Sequence, residues 1–405
     1  MTGDLTTAAP ATGDVTAGAP MAGDLAAGAA TAAPAQAQAP APAPMDAAVL
    51  VRQSGRLADD LRELAGVLPG RADAAWRALY GAGGAAGTVR SVCLVGDGDS
   101  LHAGTAAEAA FEHLAELPCE VQPAQRFLGY HVRTAAPGTL VVAVSASGRT
   151  ERVLQGVAAA RARGLRTLGI SGSDTSPLAE AADAHIAVGL PDPEPSPGVR
   201  THQASLAALL VLALRAAETT RGADAAAGYR AELAGLAEDV AATEAAVRER
   251  AAAWGRSVAG APVVAVLGTG PAEGTAGYAA AKVVEGAGVH AYGRDLEEWW
   301  HVERFAAPLD TPLVVLAPPG PARPRALELA GRALGLGRRV ALVTPAGDTG
   351  DLDDRIEVLP VHGTAREEFA PLLHQVFAAH LAFGIARELG RSPFQRHRPT
   401  GPALR

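Results

Sequence analysis

The chain contains a single lysine, Lys282, three residues before a glutamate, Glu285. Arginine supplies the rest of its 35 basic residues, so lysine has been all but eliminated and kept at one place. The segment Ala280-Ala281-Lys282-Val283-Val284-Glu285 has helical spacing, and an i, i+3 offset puts ammonium and carboxylate on one helix face. Lysine, unlike arginine, can lose a proton near neutral pH when desolvated, which makes the pair usable in acid–base chemistry. An ordinary surface helix pair has the same spacing and contributes only about 0.2–0.5 kcal/mol. A second constellation is Val144-Ser145-Ala146-Ser147-Gly148-Arg149-Thr150, between an apolar run and a helical one. Small residues let the backbone turn sharply there, and a helix N-terminus offers unpaired N–H groups and the positive end of its dipole. Ser145, Ser147 and Thr150 add three hydroxyls around the same point, a way to hold a phosphate monoester without lysine. N-capping plus a turn would use the same residue types.

Elements of alternating type must position these groups. Apolar runs predict strands at Ser91–Val95, Thr139–Val144, Arg166–Ile170, His185–Val188, Pro262–Leu267, Thr311–Leu316 and Arg339–Val343. Helical patterns fall between them, at about Leu101–Leu117 and Arg149–Arg163 among others. A longer helical stretch, Val199–Trp254, is interrupted near Gly222-Ala223. Such alternation predicts an α/β chain of two tandem units, each a mostly parallel sheet with helices on both faces. The expected boundaries are 46–224 for the first unit and 225–395 for the second. The hydroxyl loop then sits at the carboxyl end of a strand, where open α/β sheets bind ligands.

Residues 1–45 read differently. Thr-Gly-Asp-Leu at 2–5 recurs as Thr-Gly-Asp-Val at 12–15 and Ala-Gly-Asp-Leu at 22–25, followed by an Ala/Pro tract. With few large apolar residues this segment reads as a disordered tail and a poor signal peptide, and Met45 is a second candidate start. Residues 396–405 read as a C-terminal tail. The net charge of −8 and the absence of a basic stripe argue against nucleic acid as a partner. No apolar run reaches the roughly 18 residues of a membrane span. Cys93 and Cys119 lack metal-site or redox spacing and read as buried thiols in a reducing cytoplasm. Gly96-Asp97-Gly98-Asp99-Ser100 echoes a dinucleotide fingerprint, but its third glycine is out of place and two aspartates repel a pyrophosphate.

Taken together, these segments resemble the sugar isomerase (SIS) domain family, in the two-domain arrangement of the isomerase half of glutamine–fructose-6-phosphate transaminase. The likeness covers about residues 46–395. Gly96–Gly104 is similar to the family's first loop, Ser145–Thr150 to its Ser-x-Ser-Gly-x-Thr phosphate loop, and Gly198-Val199-Arg200-Thr201 to its Gly-Val-Ala-Ser segment. Lys282-Val283-Val284-Glu285 is similar to its Lys-x-x-Glu helix, and His301 stands sixteen residues on, where the family has a catalytic histidine. The resemblance implies a sugar phosphate held by Ser100, Ser145, Ala146, Ser147, Thr150, Val199 and Thr201. It implies Glu285 as the base moving a proton between C1 and C2, Lys282 stabilising an enediolate or handling an amino group, and His301 assisting ring opening. It further implies a cytoplasmic homodimer, with His301 contributed across the interface, and neither cofactor nor metal.

The chain also departs from the pattern. It has no N-terminal glutaminase cysteine, so a transaminase activity would lack its own ammonia source. The family's C-terminal lysine has no counterpart, only Arg396, His397 and Arg398, and Ser196 stands near a missing glutamate. The tryptophans of Asp295-Leu296-Glu297-Glu298-Trp299-Trp300 could stack on a sugar or pack at a contact. The expected function is aldose–ketose isomerisation, or amination or deamination, of a hexose or hexosamine 6-phosphate. The alternatives are a non-catalytic phosphosugar-binding or regulatory protein, and a structural partner of another enzyme.

Overall fold

A computed structural model describes residues 45–81, 89–348 and 352–394. Residues 1–44 of the expected tail, and the segment holding Arg396, His397 and Arg398, lie outside the described residues.

The first sheet contains β1 (Ser91–Gly96), β2 (Cys119–Pro123), β3 (Thr139–Val144), β4 (Arg166–Ser171) and β5 (Ala184–Ala187), in the order β2-β1-β3-β4-β5. The second contains β6 (Val263–Leu267), β7 (His290–Arg294), β8 (Pro312–Leu316), β9 (Arg339–Pro345) and β10 (Glu357–Val361), in the order β7-β6-β8-β9-β10. Every neighbouring pair is parallel, so one winding is used twice. Helices α1 (Val49–Ser54) and α2 (Leu57–Tyr80) precede the first sheet. Its crossovers carry α3 (Asp99–Ala109), α4 (Ala124–Gly129), α5 (Glu151–Ala162) and α6 (Pro177–Ala181). Helices α7 (Val199–Arg221) and α8 (Ala227–Val258) join the sheets, the chain breaking between them at Gly222–Ala226. The second half adds α9 (Pro271–Ala287), α10 (Leu296–His301), α11 (Arg323–Gly335), α12 (Pro371–His374) and α13 (Phe377–Glu388).

Strand periodicity sorts the side chains into layers. In β1, Val92 and Leu94 join a central core, while Cys93 and Val95 enter a separate cluster beneath α4 and α5. In β6, Val264 and Val266 join the same central core, and Ala265 and Leu267 the outer cluster beside α10 and α11. Alternate residues of a strand point to opposite faces, so an unbroken apolar run such as Thr139–Val144 is what a doubly covered strand requires. The central core is therefore common to both sheets. It is filled by α2, α7, α8, α9 and α13, with Leu57, Leu61, Leu64, Leu68 and Trp76 of α2 all buried at helical spacing.

One crossing places chemistry. Helix α3 of the first half lies directly on α9 of the second, and α9 presents Gly274 and Gly277 to it. A Cβ on Gly274 would meet the His102 carbonyl oxygen at 2.5 Å, and one on Gly277 would strike the His102 ring. With hydrogen at both positions the backbones touch, which brings the start of α3 within reach of a side chain on α9.

The strands expected from apolar runs are present within a residue or two. Three were not expected: β2, β7 and β10, each at or beside a sheet edge where polar residues interrupt the pattern. The helix expected through Leu117 ends as an α-helix at Ala109 and continues as a π-helical turn, Ala110–Leu114. It must stop there because Glu116 takes a positive φ of 54° and Pro118 follows. Cys93 and Cys119 are buried and unpaired, and burial pushes the Cys93 thiol up to about 12. No described helix is long and apolar enough to cross a membrane.

Candidate functional site

Lys282 lies inside α9 with no exposed surface, so the surface-pair alternative does not describe it. Its Nζ donates to Glu285 Oε2 at 2.6 Å, as the i, i+3 spacing predicts, and to Asp99 Oδ2 at 2.6 Å, 183 residues away in sequence. Around the ammonium stand Tyr278, its ring centre 5.2 Å from Nζ, and His202, stacked on Tyr278 at 3.9 Å between centroids. Burial drives His202 down to about 3, so it is a neutral ring near neutral pH, and its Nδ1 lies 3.1 Å from the Asp99 carbonyl oxygen. His102 is lowered as well, first by burial, with Asp99 opposing the shift and Lys282 adding to it. The two carboxylates therefore share one cation, Lys282. Glu285 keeps about a third of its side chain exposed, enough to meet a ligand.

The hydroxyl loop forms at the carboxyl end of β3. Ser145 N–H donates to Ile170 O of β4, and Gly148 takes a φ of +64°, which closes the turn. Ser145 Oγ and Thr150 Oγ1 lie 2.8 Å apart, while Ser147 is exposed, its Oγ accepting from Arg149 N at 3.2 Å. Thr150 occupies the N-cap position of α5, yet its side chain makes no cap bond. Its hydroxyl is turned to Ser145, and among the described residues no side chain accepts from the first N–H groups of α5. That is the arrangement in which an anion can be received.

A cleft of about 400 Å³ opens beside this loop, lined by Ala146, Gly172, Glu194, Ser196, Arg200 and Thr201 among others. Ala146 and Thr201, expected at one site from distant segments, do meet here. Val199, by contrast, is buried in the central core and does not line the cleft. Ser100 is half-buried at the start of α3, next to Asp99. His301 ends α10 with 74% of its side chain exposed, and its ionic partner is Glu297 at 3.8 Å. No hydrogen bond or ion pair among the described residues joins it to Lys282, Glu285 or the hydroxyl loop. The paired tryptophans divide: Trp299 is buried in the outer core, and Trp300 carries Arg304 over its ring at 4.3 Å.

Three contributors were not foreseen. Asp99 was read only as a repulsive charge. Glu194 lines the cleft two residues before Ser196, held by Arg52 at 2.6 Å. Arg200 is buried and forks onto Asp60 with two bonds of 2.6 Å, while reaching the carbonyls of Pro191 and Asp192. It thereby pins the arm 189–196 that walls the cleft. The described chain also returns to the site: Phe394 N–H donates to Glu285 O at 2.7 Å, and Arg391 binds the carbonyls of Ala287 and Gly288 at the end of α9.

The arrangement can therefore anchor an anion at one end and exchange a proton at the other. Residues 88–215 match the family model described as "SIS domain". That segment is similar to a SIS domain. A glutamine–fructose-6-phosphate aminotransferase (isomerizing) of Caulobacter vibrioides is 30% identical over 236 residues, 57% of this chain and 38% of that protein. The chain spans half or less of the length of the curated relatives it matches. Among solved structures, the C-terminal domain of glucosamine-fructose-6-phosphate aminotransferase from Francisella tularensis superposes with a TM-score of 0.74 at 18% identity, covering 85% of this chain and 98% of that one. Glucosamine-6-phosphate deaminase from Thermotoga maritima gives 0.67 at 16% identity, covering 85% and 96%. The fold shared with these structures thus extends over both sheets, and the family match itself covers the first.

Proposed function

We propose that this protein is a phosphosugar isomerase-type enzyme. It catalyses aldose–ketose isomerisation, or amination or deamination, of a hexose or hexosamine 6-phosphate, with free ammonia where nitrogen is involved. One observation carries the reading: the lysine–glutamate pair on α9 bonds to Asp99, whose carboxylate packs against Gly198 beside Thr201, and Thr201 lines the same cleft as Ala146 of the hydroxyl loop. In this reading Ser145, Ser147 and Thr150, with the α5 N-terminus and the main chain at Ala146, hold the phosphate. Ser100, Thr201 and the main chain at Val199 hold the sugar. Glu285 carries the proton between C1 and C2, and the Lys282 ammonium, with one N–H beyond its two bonds, stabilises the developing enediolate oxygen. His301, exposed at the end of α10, serves ring opening in the site of a second copy, which makes the enzyme a homodimer. The names of the relatives, an isomerizing aminotransferase and a deaminase, support this chemical class.

The test is proton exchange. Incubation with a panel of hexose and hexosamine 6-phosphates in deuterated water should give exchange at C1 or C2 with at least one of them. Glu285→Gln should slow that exchange by about 10²–10⁴-fold while leaving phosphosugar affinity near the parent value. Binding without exchange across the panel would replace the enzyme by a phosphosugar-binding protein, and equal exchange in the variant would remove Glu285 from its role.

A further inference from the structure

We propose that Asp99 is a positioning residue for the Lys282–Glu285 pair, holding the lysine ammonium in place from the opposite half of the chain. Asp99 is the first residue of α3 and follows Gly98, whose φ is +56°. A carboxylate there suits the positive end of its own helix dipole, but among the described residues neither of its oxygens accepts from an N–H of α3. Instead Oδ2 accepts from Lys282 Nζ at 2.6 Å, while Oδ1 is buried and has no hydrogen-bond partner among the described residues. Lys282 is thus the group that fixes the carboxylate, and the carboxylate is one of two that fix Lys282.

The surroundings are built for this contact. A Cβ at Gly198 would lie 2.6 Å from Asp99 Oδ2 and 2.9 Å from Thr201 Oγ1, so the carboxylate packs against the turn that leads to the cleft. Asp99 therefore stands between the sugar-lining turn and the base. Tyr278 and the neutral His202 and His102 supply no competing cation. A lysine side chain has four rotatable bonds, and one carboxylate on its own helix would leave its amine free to pivot. A second carboxylate, on a different helix and in rigid contact through α3 and α9, removes that freedom.

This role rests on the proposed chemistry for its effect on turnover, but not for its effect on Lys282 itself. Because the chain has one lysine, a small amine-acylating ester marks Lys282 and the N-terminal amine alone, and mass spectrometry separates the two. The parent protein should acylate slowly at Lys282. In Asp99→Ala the rate should rise about tenfold or more, the scale of one lost charge-assisted hydrogen bond, and Asp99→Asn should fall between. Thermal melting of both variants separates loosening of Lys282 from general unfolding, and Asp99→Asn keeps the test open if Asp99→Ala does not fold. In deuterium exchange, Asp99→Asn should lower kcat with KM near the parent value. Unchanged acylation in the folded variants overturns the proposal, as does a raised KM at constant kcat. If no phosphosugar exchanges with the parent protein, the function proposed above fails, and acylation alone decides the role of Asp99.

Discussion

At the scale of single residues, the site is a charge arrangement closed on itself. One buried ammonium serves two carboxylates, and the histidines around it are kept neutral by burial. That neutrality has a consequence for stability. His202 sits at about 3 in the fold against an ordinary 6.5, so the unfolded chain binds a proton that the folded one refuses. Its contribution is present above pH 6.5 and is lost as the pH falls below that value toward 3. His202→Asn, which can still donate to the Asp99 carbonyl, should flatten the fall in unfolding free energy between pH 6.5 and 5 by about 1.4 kcal/mol per pH unit. Urea titrations at several pH values measure it, and parallel slopes for the two proteins would show that His202 is not the group responsible. The Lys282–Glu285 pair was readable in advance because helical spacing is local. Asp99 was not, since its partner is 183 residues away and nothing in Gly96–Ser100 signals a lysine.

At the scale of elements, legibility followed burial. Strands with both faces covered, such as β3, are unbroken apolar runs and could be seen directly. The strands β2, β7 and β10 read Cys-Glu-Val-Gln-Pro, His-Ala-Tyr-Gly-Arg and Glu-Val-Leu-Pro-Val, and lie at the margins of their sheets, where one side meets solvent and the periodicity breaks. The arm 189–196 is similar: no local pattern reports that Arg200 will fork onto Asp60 of α2. That buried pair is what keeps the arm against the cleft. Asp60→Ala leaves a buried guanidinium without its carboxylate and should cost about 3–5 kcal/mol. It should also open the segment Leu190–Pro195 to limited proteolysis, seen as cleavage there before any elsewhere. A variant that loses stability with no new cleavage in the arm would make Asp60 a core residue only.

At the scale of the whole molecule, the two repeats share a winding but divide the labour. The hydroxyl loop follows β3 in the first repeat, whereas the turn after β8 in the second is Ala317-Pro318-Pro319-Gly320-Pro321-Ala322, with no hydroxyl, and Glu367 crowds its glycine. Glu285, the proposed base, comes from the second repeat, so in the proposed reading neither half holds a complete site. The common core predicts that the described halves unfold together: far-UV circular dichroism and tryptophan fluorescence should give coincident denaturation curves. Two separated transitions would show that the sheets stand independently. The contact of α3 with α9 through Gly274 and Gly277 carries a mechanical meaning as well. Backbones that already touch leave no gap for a hinge, so the two sheets do not act as jaws. The wall of the cleft is then held to that frame by one buried fastening, Arg200 on Asp60.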